Sequence, residues 1–481
     1  MVEACIGVKA RRDCAKMASV NFSISKDYEF KIVNTEVIVP ALPMQQHILP
    51  LSNLDLTIPP VSVHVFFCYK NPFPRTFASA LSHLKTSLSK VLVSYYVLAG
   101  RMVTDSIGLP KVHCNNKGVR FTQAYAAAAL SQLNLYNPDE SVQGKLVPLL
   151  SKPFSEDAIP VFAVQVTEFS CGGIVVGCTF DHRIADAYSA NMLLTSWANL
   201  CRNDSNVPLN PSITRSILCP RDSPAYCAEI DNMYVRHTSQ ECGQENPHPP
   251  SLASRIYYLD VKNIMDLQFN ANKDGKRCTK LEVFSAYLWK LMICTQKVKD
   301  TMNCKIGIVV DGRPRLKEIG VSANYFGNVL ILPFAESDAR CIKSKSLCWS
   351  AGLIHDAIQS AANEEHFQRL IDLVETTKPT PVLAKIYCRE DDNQSCGPAV
   401  LVSSGLRFPL YEVDFGWGKP TFGSYHFPWG GEAGYVMPTQ SPAGDGSWIV
   451  YMHLPLEQLN AIESDPNRIL LPITQYFLQL A

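Results

Sequence analysis

The chain has 481 residues, 47% of them hydrophobic and 18% charged, enough for two to four domains at roughly 100–200 residues each, every one with its own core. A small stapled or disordered protein is excluded. Its 44 Lys and Arg balance 44 Asp and Glu, so no net field draws in a nucleic acid or an acidic membrane, and the expected partner is a small molecule.

Residues 1–29 read as an amino-terminal tail, mildly basic through Lys9, Arg11, Arg12 and Lys16, without an apolar signal stretch and with a second start at Met17. Residues 1–16 are accordingly read as an extension or short tail. Strands are predicted at Tyr28 to Val39 and Val61 to Tyr69 from their β-branched content. Phe77, Leu81, Leu84 and Leu88 then recur at helical spacing and predict a helix laid on a sheet. Further strands are expected at Leu146 to Leu150, Val161 to Thr167 and Ile174 to Phe180, followed by a helix over Ala187 to Cys201.

Between Arg202 and Ser251 seven prolines and many polar residues break every period. A connection this long at mid-chain joins two domains. The division is 30–205 for the first domain, 206–250 for a crossover linker and 251–481 for the second. The second series opens with a strand at Ser254 to Leu259, a helix over Val261 to Ala271, and a helix over Leu281 to Cys294. Thr279 and Glu282 precede and open that helix at capping-box spacing. Strands at Ile306 to Asp311, Val329 to Pro333, Ala399 to Ser404 and Trp448 to Leu454, and a helix over Ser346 to Asn363, complete a mixed α/β chain of sheets with helices.

The 17 cysteines are odd in number and contain no C-x-x-C pair. Reduced thiols are expected, with Cys68, Cys178 and Cys294 acting as small hydrophobes in apolar runs. No apolar run reaches the roughly 18–20 residues of a membrane span, so a soluble, cytoplasmic protein is expected.

For chemistry, His182 follows the apolar run Ile174 to Phe180, and Asp186 stands where the next helix begins. An imidazole of ordinary pKa about 6.5, fixed at a strand mouth, suits a general base. The blander alternatives are a structural histidine at 182 and, at 186, a helix cap or an arginine partner. His-x-x-x-Asp occurs once in the chain. Nothing ties Glu364-Glu365-His366 to it by spacing, and no metal is expected. No G-x-S-x-G elbow, P-loop or dinucleotide fingerprint is present. Asp414-Phe415-Gly416-Trp417-Gly418 reads as a structural corner of aromatic and glycine residues. It completes a set with Asp311-Gly312-Arg313 and Tyr325-Phe326-Gly327-Asn328.

This ordered set resembles the plant BAHD family of acyl-CoA-dependent acyltransferases over about residues 30–481. Leu42 to Gln45, Leu51 to Asp55, Cys178 to Arg183 and Ser403 to Pro409 look closest to coniferyl alcohol acyltransferases. The resemblance implies two chloramphenicol-acetyltransferase-like domains with a channel between them, His182 at its middle as base, and direct attack of an alcohol on the thioester without an acyl-enzyme. It makes Asp186 a structural support paired to an arginine, for which Arg313 is the best candidate. Asp414, Gly416, Trp417 and Gly418 become structural residues that shape the coenzyme A domain.

Where related hydroxycinnamoyltransferases carry Thr-Ser-Trp, this chain reads Ser403, Ser404 and Gly405. Ser403 is left as an oxyanion donor, and Gly405 as open space in the acyl pocket. Lys273, Lys276, Arg277, Thr279 and Lys280 are expected to contact coenzyme A phosphates, helped by a helix amino terminus. Implied overall is a monomer with no bound cofactor, taking acyl-CoA, acetyl-CoA first, as co-substrate for a phenylpropanoid alcohol. Other acyl donors and acceptors, a lyase, and a small-molecule binder on the same scaffold stand as alternatives.

Overall fold

The computed structural model describes residues 28–70, 76–150, 158–202, 210–224, 228–236, 251–273, 277–294, 298–387, 396–429, 433–475 and 477. Two large mixed sheets carry the architecture. The first runs in the order Phe30–Ile38, Val119–Ala126, Phe162–Phe169, Ile174–Asp181, Ser62–Tyr69 and Phe422–His426. The second runs Phe334–Asp338, Asn303–Ile308, Cys396–Val402, Gly434–Gln440, Trp448–Pro455, Leu252–Leu259 and Leu470–Pro472. Each has its own helical layer and core, giving a two-domain α/β fold.

Helix Phe77–Ser94 forms where its spacing predicts it, with Thr76 accepting from Ser79 N and Leu81, Leu84 and Leu88 buried. It lies beside helix Ala187–Cys201, and the Trp197 indole N–H is shared between Leu84 O at 3.2 Å and Ser87 Oγ at 3.0 Å. On the second sheet Val261–Ala271, Lys280–Ile293 and Leu347–Ala361 cover a separate core. The capping box at Thr279 and Glu282 is present in both directions. Cys68 and Cys178 are buried as expected, whereas Cys294 is exposed, because it caps the carboxyl end of Lys280–Ile293 rather than continuing its apolar face.

Leu146 to Leu150 does not form the expected strand. It crosses the face of Ile174–Asp181 instead of pairing along an edge. A Cβ on Gly177 would lie 2.0 Å from Leu146 O, so only glycine lets the two backbones meet. Thr179 Oγ1 donates to Pro148 O at 2.5 Å and fixes the crossing. Residues 101–126, for which no strand is expected above, form three: Arg101–Thr104, Pro110–Cys114 and Val119–Ala126.

The strand Phe422–His426 comes from the second half of the chain yet closes the edge of the first sheet, antiparallel to Ser62–Tyr69. The opposite face of that sheet meets the second sheet in a shared cluster that includes Phe66, Val175, Phe422, Ile256, Ile449 and Tyr451. A polar network crosses this seam. His426 Nε2 contacts Asp139 Oδ1 at 2.9 Å, Asp139 Oδ2 accepts from Ser254 N at 2.6 Å, and Ser254 Oγ meets both Tyr451 Oη and His453 Nδ1 at 2.9 Å.

His64 lies against His426 with ring centroids 5.9 Å apart. Because Thr179 spends its proton on Pro148, its oxygen accepts from His64 Nδ1–H at 2.8 Å, which fixes the tautomer of a neutral ring. Burial, and then His426, holds the His64 pKa down to about 3, against about 6.5 in an unfolded chain. As pH falls below about 6.5 the unfolded chain binds the proton first, so this group's contribution to stability is complete above that pH and is lost toward pH 3. Denaturation midpoints measured between pH 7 and 4 should therefore fall less steeply in His64→Gln than in the wild type.

Candidate active site

Strand Ile174–Asp181 is buried along all eight residues. It ends where the Asp181 carboxylate turns back on Arg183, accepting from its N–H and Nε at 3.0 Å and from Nη2 at 2.6 Å. His182 is thereby set at the strand mouth, its N–H donating to Val61 O at 2.9 Å. The imidazole lies edge-on to Phe427, centroids 5.9 Å apart, and Nδ1 is buried without a hydrogen-bond partner among the described residues.

Asp186 begins the following helix and both of its sequence-level alternatives hold at once. Its Oδ1 accepts from Ser189 N at 2.8 Å, capping the helix. Its two oxygens also take Arg313 as a fork, Nη1 at 2.8 Å and Nη2 at 3.1 Å, and Oδ2 accepts from Val329 N at 3.2 Å. Arg313 spends its remaining donors on Tyr325 O, Gly327 O, Ser189 Oγ and Asp311 Oδ1, and its guanidinium plane covers the Tyr188 ring at 4.5 Å. Both members of the pair are buried, at 1% and 3% exposure.

His182 lines a cavity, open to solvent, between the two halves. The first half contributes Val61, Phe180 and Ala187 to its wall, and the second contributes Leu401, Ser403, Ser404, Phe408, Tyr435 and Met437. Aromatic rings dominate one side. Phe427 stacks at 20° on Trp429 and meets Tyr435 edge-on at 4.9 Å, and Trp429 meets Tyr387 edge-on at 4.2 Å. Phe427 is anchored by its N–H donating to Tyr451 Oη at 3.0 Å, on the seam network.

Ser403 follows strand Cys396–Val402 directly, with its N–H on Val436 O at 2.9 Å. Across the cavity wall Tyr435 has its pKa pushed up to about 12 by burial, against a smaller lowering by the nearby Ser403 hydroxyl. The Tyr435 phenol is thus protonated near neutral pH and able to donate. Gly405 does not line the cavity. A Cβ there would lie 2.7 Å from Thr439 Cγ2, so the glycine serves a close strand contact rather than making room for an acyl group.

The pentapeptide is a corner. Asp414 Oδ1 accepts from Gly416 N, Trp417 N and Gly418 N at 2.8, 3.2 and 2.9 Å. Gly416 and Gly418 take φ of +94° and +102° to let it do so. Phe415 wedges edge-on between Trp197 and Tyr69, and Trp417 packs on Tyr69. These contacts place the corner against the first sheet and its helices, not against the basic loop expected to meet coenzyme A.

In that loop Lys273 lies over the Phe269 ring at 5.1 Å, and Arg277 and Lys280 are exposed. None of them lines the cavity, and Lys276 is outside the described residues. Thr279 spends its N–H on Glu282 Oε2 and accepts from Glu282 N on its hydroxyl oxygen, which leaves only the hydroxyl proton for a phosphate. Among the described residues no three His, Cys, Asp or Glu side chains gather as a metal site, and no helix is long and apolar enough to cross a membrane.

Three polar residues at the site have no role assigned by the motif reading. Asp55 and Asn328 lie inside quoted motifs, and Arg215 falls in the proline-rich linker. Asn328 Nδ2 donates to His182 O at 2.9 Å and to Asp55 Oδ1 at 2.8 Å.

A family model described as the Transferase family matches residues 29–469. The chain is 28% identical to a hydroxycinnamoyltransferase of Narcissus pseudonarcissus over 89% of this chain and 97% of that one. It is 30% identical to an omega-hydroxypalmitate O-feruloyl transferase of Arabidopsis thaliana over 77% and 78%. In fold it matches the crystal structure of vinorine synthase, TM-score 0.67, 23% identity, 94% and 98% covered. It also matches F. graminearum TRI101 complexed with coenzyme A and deoxynivalenol, TM-score 0.70, 17% identity, 88% and 98% covered.

A buried carboxylate stripped of its partner is the costliest defect this site can suffer. Arg313→Met should lose about 3–5 kcal/mol of unfolding free energy, read by urea denaturation. Arg313→Lys should recover only part of it, because an ammonium cannot reproduce the two-pronged contact.

Proposed function

The chain belongs to the Transferase family, the BAHD acyl-CoA-dependent acyltransferases, and on that premise we propose that it moves an acyl group, acetyl first among the donors, from acyl-CoA to the hydroxyl of a phenylpropanoid alcohol such as coniferyl alcohol. The observation that carries the reading is one cavity lined by His182 and Ser403 together with Phe427, Trp429, Tyr387 and Tyr435. A flat aromatic alcohol finds ring partners there, and its hydroxyl finds a base.

In this scheme the neutral His182 ring takes the hydroxyl proton on Nε2, since Nδ1 is turned into the protein. The alcohol oxygen attacks the thioester carbonyl carbon, and the carbonyl oxygen gathers the negative charge. Ser403 donates a hydrogen bond to that oxyanion. Collapse expels the thiolate of coenzyme A, which recovers the proton from the imidazolium. The ester leaves with the acyl group, and no bond to the enzyme is formed. Asp186 takes no proton; its charge is committed to Arg313.

A second reading keeps the chemistry and exchanges the donor for a hydroxycinnamoyl-CoA. The relatives named as hydroxycinnamoyltransferases, at 26–28% identity, favour it.

The test is thiol release by the purified protein with coniferyl alcohol and acetyl-CoA, beside feruloyl-CoA and other donors, with the ester identified by mass. Alcohol-dependent release is expected. It should fall by about 10²–10⁴-fold in His182→Ala and by about 10²–10³-fold in kcat for Ser403→Ala. A faster rate with a hydroxycinnamoyl donor replaces the first reading with the second. No consumption of any acyl-CoA by folded protein sinks both, and points to a lyase or a binding protein.

A further inference from the structure

We infer that Asp55, Arg215 and Asn328 form a buried brace that sets the His182 main chain for proton abstraction, making them positioning residues for acyl transfer; this rests on the reading of His182 as the base. The three come from distant parts of the chain and are exposed by only 0%, 4% and 0%. Asp55 is the hub. Its Oδ2 accepts from Ser52 N at 3.0 Å and lies 2.8 Å from Arg215 Nε as a buried ion pair, without hydrogen-bond alignment. Its Oδ1 takes both Asn328 N at 2.9 Å and Asn328 Nδ2 at 2.8 Å.

From this hub two donors reach the turn that carries the base. Asn328 Nδ2 holds His182 O at 2.9 Å, and Arg215 Nη2 holds Ile184 O at 3.2 Å. Arg215 Nη1 also donates to Phe326 O, which fixes the approach of the segment bearing Asn328. The orientation of the Asn328 amide follows from its neighbours, because the reverse placement would set its oxygen against two acceptors.

The arrangement is costly. Burying an ion pair strips both ions of their water, and apolar side chains of equal volume often hold a loop together as firmly. Asn328 Oδ1 is also buried without a hydrogen bond among the described residues. What apolar packing cannot supply is direction. Donors aimed at the carbonyls of residues 182 and 184 fix the 182–183 and 184–185 peptide planes, the first of which adjoins the His182 Cα and so bears on the direction in which the imidazole leaves the backbone. Asp186 and Arg313 fix the far end of the same turn, so His182 is held from both sides.

The test is Asn328→Ala, which leaves the Asp55–Arg215 pair intact, compared with wild type using the donor and alcohol that turn over fastest in the thiol-release assay. A displacement of order 1 Å at a reacting group can cost about 10²-fold. The expected result is a 10- to 100-fold fall in kcat, KM values for both substrates within about threefold, and a larger solvent deuterium isotope effect on kcat as proton transfer becomes limiting. A lower folded fraction would reduce kcat without changing the isotope effect.

Should Asn328→Ala fail to fold, Asn328→Ser, which keeps the main-chain bond to Asp55, carries the same test. An unchanged kcat, or a fall in kcat at constant isotope effect, overturns the brace. His182→Ala in the same assay separates the two ideas. An active His182→Ala, or a wild type without turnover, removes the base and the brace with it. An inactive His182→Ala beside an unimpaired Asn328→Ala removes the brace alone.

Discussion

The buried pair of Asp186 and Arg313 is the constraint from which the site is organised. The aspartate is fixed by its cap on helix Ala187–Cys201 and the arginine by the carbonyls of Tyr325 and Gly327, so the bond between them ties the first half of the chain to the second. An exposed pair could slide or exchange with water, and would be worth at most about 1 kcal/mol. A buried fork cannot slide without stranding a charge. The two halves are therefore registered to within hydrogen-bond tolerance at the point where the cavity passes between them.

The cavity follows from that registration. Its walls belong to both sheets, and its aromatic side is anchored on the seam: Phe427 extends the strand that the second half lends to the first sheet, and its N–H is bonded to Tyr451 of the second. Position, burial and charge thus reach His182 through main-chain contacts rather than through a partner on its ring. The imidazole lines the cavity while its backbone is held.

Much of this was legible in the residues because the signals were local. Spacing alone located the helix over Phe77–Ser94, the cap at Asp186 and the box at Thr279, each decided within a few residues. Arg313 as the partner of Asp186 came from the resemblance. What escaped was decided by residues far apart in the chain. Phe422–His426 has a weak pattern of its own and becomes a strand because Ser62–Tyr69 offers it an edge. Arg215 lies in a proline-rich stretch without a period, where nothing local marks a buried cation. Leu146 to Leu150 has a strand's composition, yet the bare backbone at Gly177 draws it across a face. Gly405 looked like vacated space until Thr439 was seen to occupy it.

The loan of Phe422–His426 to the first sheet has a consequence for biogenesis. Strand Ser62–Tyr69, buried over most of its length, is synthesised early, but the strand that completes its edge leaves the ribosome about 240 residues after Asp181. At roughly 5–20 residues per second, that edge waits for about 12–50 seconds. During this interval the nascent first half presents an unpaired apolar strand, the kind of surface that other chains can add to. Its protection must come from outside the sheet, by chaperone cover or by delayed compaction, until the second half arrives to close it.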